Sequence, residues 1–96
     1  MAAYIVATIN ITDPEKYQAY AKLAGPAGIK HGGKYLARGG KKTTLEGDIP
    51  FDRIVVSEFP DVEAAKKFYN SVEYQDARKH RLGAADFHMI VVEGAT

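Results

Sequence analysis

The chain has no cysteine, which removes disulfides, thiolate zinc sites and cysteine nucleophiles at once. It also has almost no surplus charge, 13 Lys and Arg standing against 12 Asp and Glu in 96 residues. The first 48 residues hold seven cations and four anions, and the remainder hold six and eight. Neither half carries the dense basic stripe that phosphate backbones require, so nucleic acid is not an expected partner. No apolar run approaches the roughly 20 residues that span a bilayer, and no membrane partner is expected. The opening Met1-Ala2-Ala3-Tyr4-Ile5-Val6 lacks a basic leader and soon meets Asn10, so no secretory signal is read and a cytoplasmic location is expected. What is present, 46% hydrophobic and 26% charged residues, is the composition of one globular domain over residues 1–96.

Tyr4 to Ile11 is rich in β-branched and aromatic residues and reads as a strand. Two overlapping helix starts follow: Thr12 with Glu15 as a capping box, and Asp13 as N-cap before Pro14. Tyr17, Tyr20, Ala21 and Ala24 then recur at helical spacing. Gly25-Pro26 is expected to kink or interrupt this helix, with a last turn over Ala27–Lys30 before His31-Gly32-Gly33 ends it. Lys34–Arg38 reads as a second strand. Lys41–Phe51 reads as a protruding arm with a strand-like piece at Thr43-Thr44-Leu45 and a turn over Gly47–Pro50. Asp52–Phe59 is the third strand. Asp61 caps a helix with Val62, Ala65, Phe68 and Val72 on one face, and Ser71 caps a further short helix carrying Tyr74, Ala77 and Arg81. Asp86–Glu93 is the fourth strand.

The order β-α-β-β-α-β is that of an α+β, ferredoxin-like fold with a four-stranded antiparallel sheet. Right-handed crossovers place the helices on one face of that sheet. Yet Ile54-Val55-Val56 and Met89-Ile90-Val91-Val92 are apolar at consecutive positions, which an alternating half-wet strand would not be. Both faces therefore need cover, and only a second subunit is left to cover the face without helices. A homodimer is expected.

Several segments together resemble a known family: Ala3-Tyr4-Ile5-Val6, Asp13-Pro14-Glu15, His31-Gly32-Gly33-Lys34-Tyr35-Leu36-Ala37-Arg38-Gly39-Gly40, Leu45-Glu46-Gly47-Asp48 and Arg53 to Pro60. Phe68-Tyr69-Asn70-Ser71, Glu73-Tyr74-Gln75, Ala77-Arg78 and Arg81 extend the likeness. From about Tyr4 to Gly94 the chain is similar to the bacterial family called domain of unknown function 1330. The resemblance implies a homodimeric α/β barrel in a superfamily that includes cofactor-independent monooxygenases, muconolactone isomerases and haem enzymes. The family has no established reaction and so supplies no catalytic residues. The chain departs from its pattern at Gly25-Pro26-Ala27-Gly28, where relatives keep a continuous helix.

Some motifs lead nowhere. Gly39-Gly40-Lys41-Lys42-Thr43 lacks the spacing and the following helix of a phosphate loop and reads as a mobile basic turn. Asn10-Ile11-Thr12 is a glycosylation acceptor only in a secreted protein. His31, His80 and His88 show no metal-ligand spacing, so no metal is expected, and no cofactor either. A haem would need His31 or His88 as axial ligand.

The candidates that carry chemistry each have a plainer reading. His31 is a general acid or base, or a residue interacting with the end of the first helix. Glu58 is an acid in an apolar strand: buried it suits proton transfer, exposed it makes a surface pair with Lys34. Arg38 clamps a carboxylate or enolate, or bridges subunits, and His88 lies at the same end of the sheet. Tyr69 and Tyr74 supply phenolic donors or fill the core. Arg81 joins them as a ligand residue or pairs with Glu73 and Asp76 along its helix. The expected function is binding of a small apolar or aromatic anion. It extends either to cofactor-independent proton transfer or oxygen chemistry, or to a non-catalytic binding or assembly role. Glu58 or His31 would be the base, with Arg38 and a tyrosine steadying negative charge.

Overall fold

The computed structural model describes residues 1–95; Thr96, the last residue of the expected domain, lies outside the described residues. In chain order the elements are β1 (Ala3–Ile11), α1 (Pro14–Lys30), β2 (Lys34–Arg38), β3 (Arg53–Phe59), α2 (Val62–Tyr69), α3 (Val72–Arg81) and β4 (Ala85–Glu93). The strands form one antiparallel sheet in the order β2-β3-β1-β4. This is the ferredoxin-like fold with its second helical segment divided in two.

Local chemistry sets the helix starts. Asp13, Asp61 and Ser71 each accept a hydrogen bond from the backbone N–H three residues on. The Ser71 cap is also what ends α2 at Tyr69. Val72 consequently begins α3 on its solvent side and is exposed, instead of completing the apolar face of α2.

Strand alternation separates two faces. Ala3, Ile5, Ala7 and Ile9 of β1 are buried, and register places Phe59, Ser57, Val55 and Arg53 of β3 beside them. Phe87, Met89 and Val91 of β4 flank them on the other side. Above this face, Phe59 stacks on Phe68 of α2 with centroids 5.3 Å apart. Tyr20 of α1 meets Tyr74 of α3 edge-on at 6.0 Å. The opposite face carries Tyr4, Val6, Ile54, Val56, Glu58, Ile90 and Val92, and no element among the described residues covers it.

Two expectations are corrected. The first helix is not interrupted at Gly25-Pro26: α1 runs unbroken through both residues. Pro26 is exposed, and the carbonyl whose donor it removes belongs to Lys22, also exposed. Buried Ala24, Gly25, Ala27 and Gly28 pack on the inner side and hold the helix in place. The arm also has no strand-like piece at Thr43–Leu45, and everything from Gly39 to Asp52 is irregular. No neighbouring strand lies beside it to accept a ladder. Its base is tied down where the Asn10 side chain donates to the Pro50 carbonyl at 2.6 Å and accepts from Asp52 N–H at 2.8 Å.

No helix among the described residues is long and apolar enough to cross a membrane. Because Phe59 is 1% exposed and stacked on Phe68, Phe59→Ala is expected to lower stability by about 3–5 kcal/mol. A urea unfolding curve measures it directly, with the midpoint falling and the slope unchanged.

Candidate functional site

Two concavities lie on the helix side of the sheet and share the wall formed by Ile5, Phe87 and Met89. The smaller, about 50 Å³, sits beneath α1 and is lined on its polar side by Tyr17, Tyr35, Arg38, Arg53 and Ser57. The larger, about 340 Å³, opens between β4 and the α2–α3 pair, with Lys66, Tyr69, Asn70, Arg78 and Arg81 around an apolar floor. Its size falls in the range of small-molecule sites.

Arg81 joins the two regions. It is 8% exposed, and its guanidinium lies 3.7 Å from the Phe87 ring centroid and 5.4 Å from that of Tyr20. Its Nη2 donates to the Tyr74 hydroxyl at 3.4 Å, and that hydroxyl is 3.0 Å from the Tyr20 hydroxyl. Burial raises the Tyr20 phenol well above its ordinary range, so it remains a neutral hydrogen-bond donor at physiological pH. The expected helical pairing of Arg81 with Glu73 or Asp76 does not form. Glu73 instead meets Lys30 at 3.0 Å and His31 at 3.1 Å, and Asp76 meets Lys79 at 3.5 Å. Arg81 points inward with Tyr74 and Ala77, the buried residues of α3, while those acids lie on its outer side.

Buried polar atoms without partners are rare in proteins and call for an explanation. Among the described residues they are the Nε atoms of Arg53, Arg78 and Arg81. All three arginines line one of the two concavities. None is within ion-pair reach of a carboxylate among the described residues.

The remaining candidates lie elsewhere. Arg38 lines the cleft beneath α1, its guanidinium 4.5 Å from the Tyr35 ring centroid. Tyr74 lines the same cleft, and Tyr69 lines the groove. Glu58 is half-buried on the open face, opposite Lys34 and Tyr4 in the register, with no ion pair to Lys34 within 4 Å. His88 shares that face and lies 3.4 Å from Asp86. His31 caps α1 and contacts Glu73. The structure therefore gathers Tyr69, Tyr74 and Arg81, sets Arg38 under α1, and keeps Glu58, His31 and His88 apart from both cavities. No cluster of three or more potential metal-ligating residues occurs among the described residues.

Sequence reasoning missed Arg53, Arg78, Tyr17 and Tyr35. Arg53 had a signal: it shares the strand parity of Val55, Ser57 and Phe59 and so faces inward. Tyr35 had none. It shares a side with Arg38, a candidate from the sequence, only because the β2–β3 register slips between Tyr35 and Ala37, a bulge that re-aims Arg38 toward the helices.

Residues 2–95 match the family described as Domain of unknown function (DUF1330). The chain belongs to that family. No curated protein matches it. Among solved structures it is similar to the RPA0582 protein of unknown function from Rhodopseudomonas palustris, at 25% identity and a TM-score of 0.78, covering 99% of this chain and 83% of that one. A dimeric ferredoxin-like protein of unknown function from Thermobifida fusca matches with a TM-score of 0.69 and 16% identity, covering 98% and 92%. SnoaB, a cofactor-independent oxygenase from Streptomyces nogalater, matches with a TM-score of 0.66 and 9% identity, covering 99% and 94%. These likenesses carry the ferredoxin-like fold.

The Lys30–His31–Glu73 contact generates a pH prediction for this DUF1330 protein. Hydrogen bonds from His31, then from Lys30, pull the Glu73 carboxyl down to about 2. A depressed acid stabilises the fold above its unfolded value of 4.5 and loses that contribution as pH falls toward 2. Urea midpoints of the wild type and Glu73→Gln are expected to differ at neutral pH, wild type higher, and to converge in strong acid. A pH-independent difference would contradict this assignment.

Proposed function

We propose that the protein is a homodimeric binder of a small apolar or aromatic anion, held in the groove between β4 and the α2–α3 pair. The observation that carries this reading is Arg81, a buried cation with an unpartnered Nε, lining a groove of about 340 Å³ with an apolar floor. Phe87, Met89 and Ile5 offer burial to a hydrocarbon body, while Arg81 and half-buried Arg78 offer donors to its oxyanion. A carboxylate there would supply the charged acceptor that neither guanidinium has among the described residues. In this reading the protein works in the cytoplasm.

The homodimer rests on the uncovered sheet face. Ile90 and Val92 are 59% and 45% exposed there, beside half-buried Val6, Ile54 and Val56. Burying each is worth about 1.5–3 kcal/mol, comparable in sum with the whole stability of a small domain, about 5–15 kcal/mol. The Thermobifida fusca neighbour is described as dimeric. Packing sheet on sheet about a two-fold axis leaves the groove open, since the groove lies on the helix side. It also brings Glu58 and His88 to the interface rather than to the ligand.

A catalytic reading of the same groove is favoured by the hydrogen-bonded series Tyr20, Tyr74 and Arg81, which ends at its wall. Such a series stabilises negative charge developing on a bound phenol or enol. Oxygen chemistry of the kind named for SnoaB is the form it would take without a cofactor. Binding without turnover is the alternative.

Calorimetric titration with 1-naphthoate and its neutral alcohol analogue tests the binding site. The acid is expected to bind about tenfold or more tightly than the alcohol, and Arg81→Met or Arg78→Gln to erase that difference. Equal affinity of the two probes in the wild type would overturn the site. For the dimer, Val56→Asp is expected to give monomers or aggregates by light scattering, whereas a stable wild-type monomer at micromolar concentration would remove the interface.

A further inference from the structure

The cleft beneath α1 shares a wall with the groove by β4 but has its own polar lining, Arg38 and Arg53 in place of Arg78 and Arg81. Arg53 enters it from the first residue of β3 and Arg38 from the last residue of β2. Their guanidinium groups lie against aromatic rings, Arg38 at 4.5 Å from the Tyr35 centroid and Arg53 at 5.7 Å from that of Tyr17. Neither has a carboxylate within ion-pair distance among the described residues, and Arg53 Nε is buried without a partner.

Two glycines make the space for these heads. A Cβ on Gly25 of α1 would stand 2.7 Å from Arg38 Nη2. A Cβ on Gly39 would collide with the Arg53 guanidinium, and Gly39 has φ +70°, a conformation that glycine adopts freely. Gly25 is thus spent, in the middle of a helix, on room for a cation. Glycine there costs about 1 kcal/mol relative to alanine. The Tyr17 and Tyr35 phenols, both raised by burial, stay protonated beside the two cations; Tyr35 spends its proton on the Ala24 carbonyl, which leaves Tyr17 able to donate.

We propose that Arg38 and Arg53 form a carboxylate-binding site under α1, distinct from the groove lined by Arg81. Planar guanidinium forks match a planar carboxylate, and the cleft's volume of about 50 Å³ admits a head group of that size. The cleft's small volume of about 50 Å³ and its largely apolar, aromatic-rich walls point to a short organic acid. Both arginines lie on the helix side, and the site stays open when sheets pack together.

The test uses the full-length protein at pH 7 with acetate as probe, following the arginine Nε–Hε resonances by NMR. Saturable shifts of the Arg38 and Arg53 signals are expected with acetate and not with chloride at equal ionic strength. Arg53→Gln and Arg38→Gln should each weaken acetate about tenfold. Gly25→Ala should also weaken it, because the exposed end of Arg38 must yield to the new methyl while the helix persists. Arg78→Gln, at a residue that lines the groove alone, should leave the Arg53 response intact, which separates this site from the groove. An equal response to chloride, or an Arg53 signal that acetate does not move, would overturn the proposal.

Discussion

A guanidinium held between three elements by aromatic rings, with no carboxylate beside it, sets the character of this protein. Arg81 belongs to α3, faces Phe87 of β4 and Tyr20 of α1, and donates to Tyr74. Taking such a charge out of water costs several kcal/mol. Each ring face returns about 2 kcal/mol when desolvated, and one hydrogen bond to a neutral hydroxyl adds less than a charged acceptor would. The seam between helices and sheet is therefore stable yet electrostatically unsatisfied. The adjoining groove, lined by the same arginine, is where the proposed anion would supply a charged acceptor.

The cleft beneath α1 extends the same principle with different means. Two backbone irregularities, a bulge in β2 and glycines at helix and turn, place Arg38 and Arg53 over tyrosine rings. Either irregularity alone would leave one guanidinium in solvent or in collision. The Arg38 head accounts for Gly25, while Gly28 gives room to the Tyr35 hydroxyl and the Phe68 ring.

The sheet divides labour between its faces. Side chains at one parity build the core and both cavities, while the other parity presents an apolar surface with Glu58, His88 and Lys34 among it. A partner on that second surface would leave the cavities on the helix side uncovered. The histidines and Glu58, the side chains whose chemistry stands out most in the sequence, belong to surfaces and helix ends. The cavities are furnished by arginine and tyrosine.

Local chemistry in the sequence was enough for the architecture. Asp13-Pro14, Asp61 and Ser71 declare helix starts because their side chains satisfy backbone donors only a few residues away. The consecutive apolar residues of β3 and β4 declare a sheet with two faces to cover. The inward placement of Tyr74 and Arg81 was legible from helical spacing, and that of Arg53 from strand parity. Tertiary structure decided the rest. Pro26 could stay inside α1 only because packing on its inner side outweighs one lost hydrogen bond. Arg38 could join Tyr35 only through a one-residue slip against β3, which depends on a strand far away in sequence. Whether Arg81 meets Glu73 along its helix or Phe87 across the core depended on which side of α3 faces the sheet, a matter settled by the whole fold.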